Sequence, residues 1–150
     1  MSTLPIIFLA RHGETTWTIS GQHTGRTDIP LTERGERNAR RLGERLKGIS
    51  FCQVLTSPLL RAARTCELAG FGQSPQVNAD LLEWDYGEYE GRTSAQIRVD
   101  APDWDLFRDG CPGGEKPWNV AARADRIVQR VRGVRGNVLI FSSGHFLRVM

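Results

Sequence analysis

The apolar positions of this chain come in two rhythms. Residues 4–10 (LPIIFLA), 51–56 (FCQVLT) and 137–142 (NVLIFS) form apolar-rich runs, the pattern of strands buried on both faces. Between them the apolar residues fall at helical spacing. Ala39, Leu42 and Leu46 share one face of a helix predicted over 32–47, with Thr32 as its cap and Glu33 and Glu36 in its first turn. Residues 57–70 (SPLLRAARTCELAG) predict a second helix, with Ser57 as N-cap, Pro58 at the first helical position and Gly70 as the stop. Thr93 and Gln96 have capping-box spacing ahead of a short helix. Val120, Ala124, Ile127, Val128 and Val131 form a further helical stripe that Gly133 ends. Strands separated by helices predict an α/β fold, a three-layer α/β/α sandwich around a mainly parallel sheet. Two irregular stretches, 17–31 and 79–92, are rich in Gly, Thr, Asp and aromatic residues. Long loops in a compact domain are often functional.

Composition narrows the picture. With 150 residues the chain is long enough for one domain with a real core. The net charge of +3 is carried by 18 Arg and only 2 Lys, and arginine forks match phosphate geometry. The arginines are spread along the chain without a dense basic stretch, so nucleic acid is not the expected partner. Cys52, Cys66 and Cys111 are an odd set without CxxC spacing, and with His12, His23 and His145 they assemble no zinc pattern. No metal site is expected, and a reducing, cytoplasmic setting is the simple reading. The apolar run at 4–10 is too short to span a bilayer and lacks a basic lead, so no membrane association is expected.

Three segments carry candidate chemistry. RHGET (11–15) directly follows the first predicted strand, where α/β proteins bind ligands. There Arg11 supplies a fixed cation, and a neutral His12 imidazole can attack phosphorus. Arg61 lies one turn into the helix after the second strand; taken alone it is an ordinary arginine on an arginine-rich helix. In LLEWDYGEYEG (81–91), Glu83 sits between leucines and Trp84. Apolar surroundings raise a carboxyl pKa, which suits a general acid, though a solvated loop glutamate fits the residues equally well.

Together RHGET, TGRTDIPLT (24–32), TSPLLRA (56–62), LLEWDYGEYEG (81–91) and GHFLR (144–148) resemble the histidine phosphatase, or phosphoglycerate-mutase-like, superfamily. The segments fall in the family's order and span nearly the whole chain. GQHTGRTDIPLT, EWDYGEYEG and FRDGCPGGE (107–115) look most like the sedoheptulose-1,7-bisphosphatase-like branch. The resemblance implies a phosphoglycerate-mutase-like fold and a cofactor-independent phosphatase acting on a small phosphorylated metabolite, with a sugar bisphosphate as the expected substrate. It implies that His12 accepts the phosphoryl group, that Arg11 and Arg61 clamp its oxygens, and that Glu83 protonates the leaving oxygen. By the same resemblance Gln22, His23, Thr24, Gly25 and Tyr86 contact the rest of the substrate, and Arg148 reaches a second phosphate or polar group. Thr18 stands where many members carry Asn.

Two departures qualify the resemblance. The family's second catalytic histidine falls on Ser143, while His145 matches a histidine that this branch often carries after the glycine. Losing one such donor typically costs on the order of 3 kcal/mol, or roughly a hundredfold in rate. Ser143 is then an engineered substitution, a natural mark of a phospho-ligand-binding pseudophosphatase, or a position whose role His145 takes over. Family members also continue past HFLRV, so residues 1–150 are expected to be one histidine phosphatase domain lacking the family's C-terminal segment, with exposed apolar surface and a homodimer as consequences. A phosphoglycerate mutase is the remaining enzymatic alternative.

Overall fold

The computed structural model describes residues 4–150. Four strands form one parallel sheet in the order β1–β4–β2–β3, comprising β1 (Ile7–Arg11), β2 (Phe51–Thr56), β3 (Gln76–Val77) and β4 (Asn137–Ser142). Central β4 pairs with β1 from Ile7↔Val138 to Arg11↔Ser142, and with β2 from Phe51↔Asn137 to Thr56↔Phe141. Three strands therefore end level with one another. The segments that follow them begin with His12, Ser57 and Ser143 at one sheet edge.

Alternation along β4 splits the core into two layers. Val138 and Ile140 face a cluster with Leu55, Trp84, Val120, Ile127 and Phe146. Leu139 and Phe141 face the other side, with Ala10, Cys66, Ala69, Leu42 and Leu46. Helices α6 (Pro117–Val131) and α7 (Gly144–Val149) cover the first face; α2 (Glu33–Leu46) and α3 (Leu60–Cys66) cover the second. Each fully buried aliphatic side chain contributes about 1.5–3 kcal/mol against its exposed state, so the two clusters lock the sheet between its helices. The result is the expected three-layer α/β/α sandwich.

Most predicted elements stand at or near their predicted bounds, and the differences have identifiable causes. The first strand starts at Ile7 rather than residue 4. The helix predicted from Ser57 begins at Leu60, because the Leu60 N–H is taken by the Asp28 carboxylate at 2.8 Å, a cap supplied from a distant loop. Ser57 instead extends the sheet, donating its N–H to the Phe141 carbonyl at 2.9 Å. That helix passes into a wide turn over Glu67–Phe71, where Gly70 takes φ 95°, a conformation glycine adopts without strain. Stretch 17–31 includes most of a short helix, α1 (Thr16–Ser20), closed at its N-terminus by a Thr15–Thr18 capping box. The remaining helices are α4 (Ser94–Asp100), begun by the predicted Thr93–Gln96 box, and α5 (Leu106–Asp109). Among the described residues no helix is long and apolar enough to cross a membrane.

Candidate active site

The turn after β1 is shaped by close backbone approach. A Cβ on Gly13 would lie 2.6 Å from the Gly35 carbonyl oxygen, and a Cβ on Gly35 would lie 2.2 Å from the Glu14 carbonyl oxygen. Only glycines let the turn press against the first turn of α2. The Gly13 N–H donates to Thr65 Oγ1 at 3.0 Å, tying the turn to α3.

His12 projects from this turn and is 8% exposed. Its Nδ1 lies 2.7 Å from the Gly13 carbonyl, which can only accept, so Nδ1 carries the proton. The lone pair is then on Nε2, which receives Arg61 Nε–H at 3.3 Å. Burial is the main cause that lowers the His12 pKa to about 4; the Gly13 bond opposes it, and Arg61 and Arg11 add to it. At neutral pH the ring is uncharged, with its nucleophilic nitrogen fixed in direction.

Arg61 is fully buried, and its guanidinium is largely committed. Nη1 donates to the Thr27 carbonyl at 3.0 Å, and Nη2 to those of Thr24 and Gly25 at 2.9 and 2.8 Å. Arg61 therefore pins loop 24–27, and its Nε–H is the donor aimed at His12 Nε2. Burial lowers its pKa, opposed by Glu83, Asp28 and Glu90.

Glu83 is held by the start of α7. Its Oε1 accepts from the N–H groups of Trp84 and Phe146, both at 2.8 Å, and its Oε2 from that of His145 at 3.0 Å. Ser143, the residue in the cap position, gives this helix no side-chain cap, so the carboxyl does that work across 60 residues of sequence. Burial raises the Glu83 pKa, against the pull of the three N–H groups and Arg61.

His12 and Glu83 line one cavity of about 250 Å³. Arg11, Thr18, Gln22, His23, Thr24, Tyr86 and Arg148 also line it. Trp17, Gly21, Ser94, Gly144 and His145 also line it and were not among the expected contacts. His145, weighed above only as a stand-in at position 143, enters the wall as the second residue of α7. Gly25, Arg61 and Ser143 lie outside the lining. Gly25 serves through its backbone, accepting from Arg61 and donating to Glu90 Oε1 at 2.8 Å. Ser143 is fully buried, and its Oγ has no hydrogen-bond partner among the described residues.

The cavity wall has a defined polarity. His23 and His145 stack at 5.9 Å between ring centroids, and Tyr86 packs edge-on against both. The Tyr86 hydroxyl bonds His145 Nδ1, and burial lowers the His145 pKa to about 4, with His23, Arg148 and Arg11 adding to it. Thr18 spends its hydroxyl in the α1 cap, bonding the Thr15 N–H and carbonyl at 2.8 Å each. Arg11 and Arg148 form no ion pair among the described residues, so two cations remain for an incoming anion. Gly144 helps: a Cβ there would lie 3.2 Å from Arg11 Nε. Among the described residues no group of three His, Cys, Asp or Glu side chains is arranged to hold a metal ion.

Comparison with known proteins agrees with this geometry. The profile of the histidine phosphatase superfamily (branch 1) matches residues 7–150. An acid phosphatase of Mycobacterium tuberculosis is 40% identical over 148 residues, covering 96% of this chain and 72% of that protein. The sedoheptulose 1,7-bisphosphatase of Saccharomyces cerevisiae is 34% identical over 180 residues, covering 98% of this chain and 66% of that enzyme, so the chain spans less than two thirds of its length. Among solved structures, that of an open reading frame of Mycobacterium tuberculosis superposes with a TM-score of 0.89 at 41% identity, covering 95% of this chain and 76% of that one.

Proposed function

The chain belongs to the histidine phosphatase superfamily, with the phosphoglycerate-mutase-like fold, and from that premise we propose that it hydrolyses a phosphomonoester of a small metabolite through a phosphohistidine at His12. One observation carries the reading: a neutral His12 with its Nε2 lone pair fixed, in a cavity that also holds Glu83 and an unpaired Arg11. Nε2 attacks phosphorus and the bond to the leaving oxygen breaks. Glu83, its pKa raised by burial, gives that oxygen a proton. Oε2 accepts one N–H where Oε1 accepts two, so Oε2 has the freer lone pair for the proton. Water then attacks the phosphohistidine and returns a proton to Glu83, releasing inorganic phosphate and His12. Arg11 and the Arg61 Nε–H stabilise the charge that develops on the phosphoryl oxygens.

Arg148, a second unpaired cation at the same cavity, supports a substrate with a second anionic group, such as a sugar bisphosphate. The metabolite is the only partner the reading requires. The thiols of Cys66 and Cys111 are pushed up to about 12 by burial, which suits inert, reduced cysteines and a cytoplasmic setting.

Ser143 favours a second reading, a protein that holds phosphorylated ligands and turns them over poorly. Its Oγ is buried, unpartnered and outside the cavity lining, so it offers the phosphoryl group no donor in place of a histidine. Phosphate release from a panel of sugar phosphates and bisphosphates separates the two. Turnover abolished by His12→Ala supports the phosphatase. Calorimetric binding without turnover, with turnover gained in Ser143→His, supports the binder. Turnover untouched by His12→Ala refutes the phosphohistidine route.

A further inference from the structure

The segment that carries Glu83 has no strand or helix to hold it. Residues 82–86 run without regular structure between two single 3₁₀ turns, Ala79–Leu81 and Gly87–Tyr89. Its carbonyls still need donors, and Arg123 on α6 supplies those of its first two residues and of Asp80 just before it. Nη1 donates to the carbonyls of Asp80 and Leu82 at 2.6 and 2.8 Å, and Nη2 reaches that of Glu83 itself at 3.4 Å. Nε and Nη2 also grip the two carboxylate oxygens of Glu115, each at 2.9 Å. Every N–H of the guanidinium is committed, and the residue is 8% exposed.

Glu115 extends the grip along the same segment. Its Oε2 accepts the Asp85 N–H at 2.9 Å, and its carbonyl accepts the Trp84 indole N–H at 2.9 Å. The guanidinium carbon of Arg123 also lies 4.8 Å over the ring of Phe146, whose N–H holds Glu83 Oε1. One ion pair thus touches the backbone from which the carboxyl projects and the α7 turn that receives it.

We propose that Arg123, paired with Glu115, is a positioning residue for Glu83 and sets how well that carboxyl delivers its proton. The inference rests on the role given to Glu83 above. Arg123 contacts neither the cavity nor the reacting atoms, so its effect must pass through Glu83.

Arg126 is the internal control. It grips the preceding turn, bonding the Asp80 carboxylate at 2.9 and 2.7 Å, and makes no hydrogen bond to Glu83 or Phe146 among the described residues.

Proton delivery matters most when the leaving group is a poor one. An alkyl phosphate needs its leaving oxygen protonated; p-nitrophenyl phosphate scarcely does. Arg123→Lys and Glu115→Gln should each lower kcat/KM on glycerol phosphate by about tenfold or more, and on p-nitrophenyl phosphate by less than about threefold. Arg126→Ala should leave the ratio unchanged. Equal losses on both substrates would overturn the proposal, because a merely structural residue lowers both alike.

A second measurement needs no turnover. Titration of the Glu83 carboxyl by carbon-13 NMR should show its pKa brought down towards the ordinary value in Arg123→Lys or Glu115→Gln, as the loosened segment admits water. An unchanged titration in either folded variant also overturns the proposal. If the wild type releases no phosphate from either ester and matches His12→Ala, the phosphatase reading fails, and the titration still decides the role of Arg123.

Discussion

Replacing Ser143 by alanine should stabilise the protein and leave its turnover unchanged. The Oγ atom is buried and unpartnered, and it sits outside the cavity lining. A buried hydroxyl without a partner costs about 1–3 kcal/mol in lost hydration. Alanine removes that cost and leaves a gap of only one oxygen atom, so the net gain should be about 1 kcal/mol. For a domain of 150 residues this raises Tm by roughly 2–4 °C. Ser143→His should do the reverse. Fitting an imidazole into a fully buried position costs about 1–3 kcal/mol of packing strain, whereas a charged donor beside the phosphoryl group raises turnover by roughly a hundredfold. Calorimetric melting and phosphate release, run in parallel on the wild type and both variants, read the two signs. An alanine variant that melts lower, or turns over about tenfold more slowly, would refute the reasoning. It would mean that Oγ donates to the phosphoryl group once ligand is bound.

Three further outcomes follow from the same geometry. Gly13→Ala places a Cβ 2.6 Å from the Gly35 carbonyl oxygen, so it should cost about 1–3 kcal/mol and most of the activity, while Gly133→Ala, with nothing within 4 Å, should be neutral by melting; equal effects would discount the turn. His12 has a folded pKa of about 4 against an ordinary 6.5, so the unfolded chain takes up its proton first as pH falls. Its contribution of about 3 kcal/mol is present above pH 6.5 and lost towards pH 4; urea unfolding of the wild type against His12→Asn should show the slope fall by about half in the variant, the remainder coming from His145, whose pKa burial likewise lowers to about 4, and an unchanged slope would contradict it. Tyr86→Phe removes the partner of His145 Nδ1, so nitrogen-15 spectra should change from one histidine tautomer to a mixture and stability should fall by about 1–2 kcal/mol; an unaltered tautomer would show that Tyr86 does not orient the ring.

What the sequence revealed and what it concealed divide along a physical line. Residues 137–142 are a strand at those bounds because a run buried on both faces needs no partner to declare itself, and 51–56, whose first half is partly exposed, still shows as a short apolar-rich run. The Thr93–Gln96 box and the 33–46 helix are likewise local. The displaced start of α3 was not legible, because its cap is Asp28, 32 residues away. The two-residue β3 exists only through β2. At the site, RHGET marked a ligand turn at a strand end, and the structure puts His12 on the cavity wall. The resemblance expected Arg61 to clamp a ligand, yet most of its donors hold loop 24–27, a role that depends on loop carbonyls no pattern reveals. Arg123 drew no notice for the same reason: besides Glu115, its partners are backbone oxygens some 40 residues away.

The two demands placed on Glu83 are reconciled by their order in time. As the cap of α7 the carboxyl is favoured charged, because three N–H groups point at it. On the proposed route it must begin neutral, a state that burial, the largest influence on its pKa, favours. On that route, once the proton has left for the departing oxygen, the same three N–H groups would meet a carboxylate and bind it more tightly. The cap therefore strengthens as the reaction advances, which lowers the barrier rather than merely holding the ground state. Water then restores the proton, the cap relaxes, and the burial that opposed the charge favours that return. A helix start that Ser143 leaves without a side-chain cap is thus completed by Glu83.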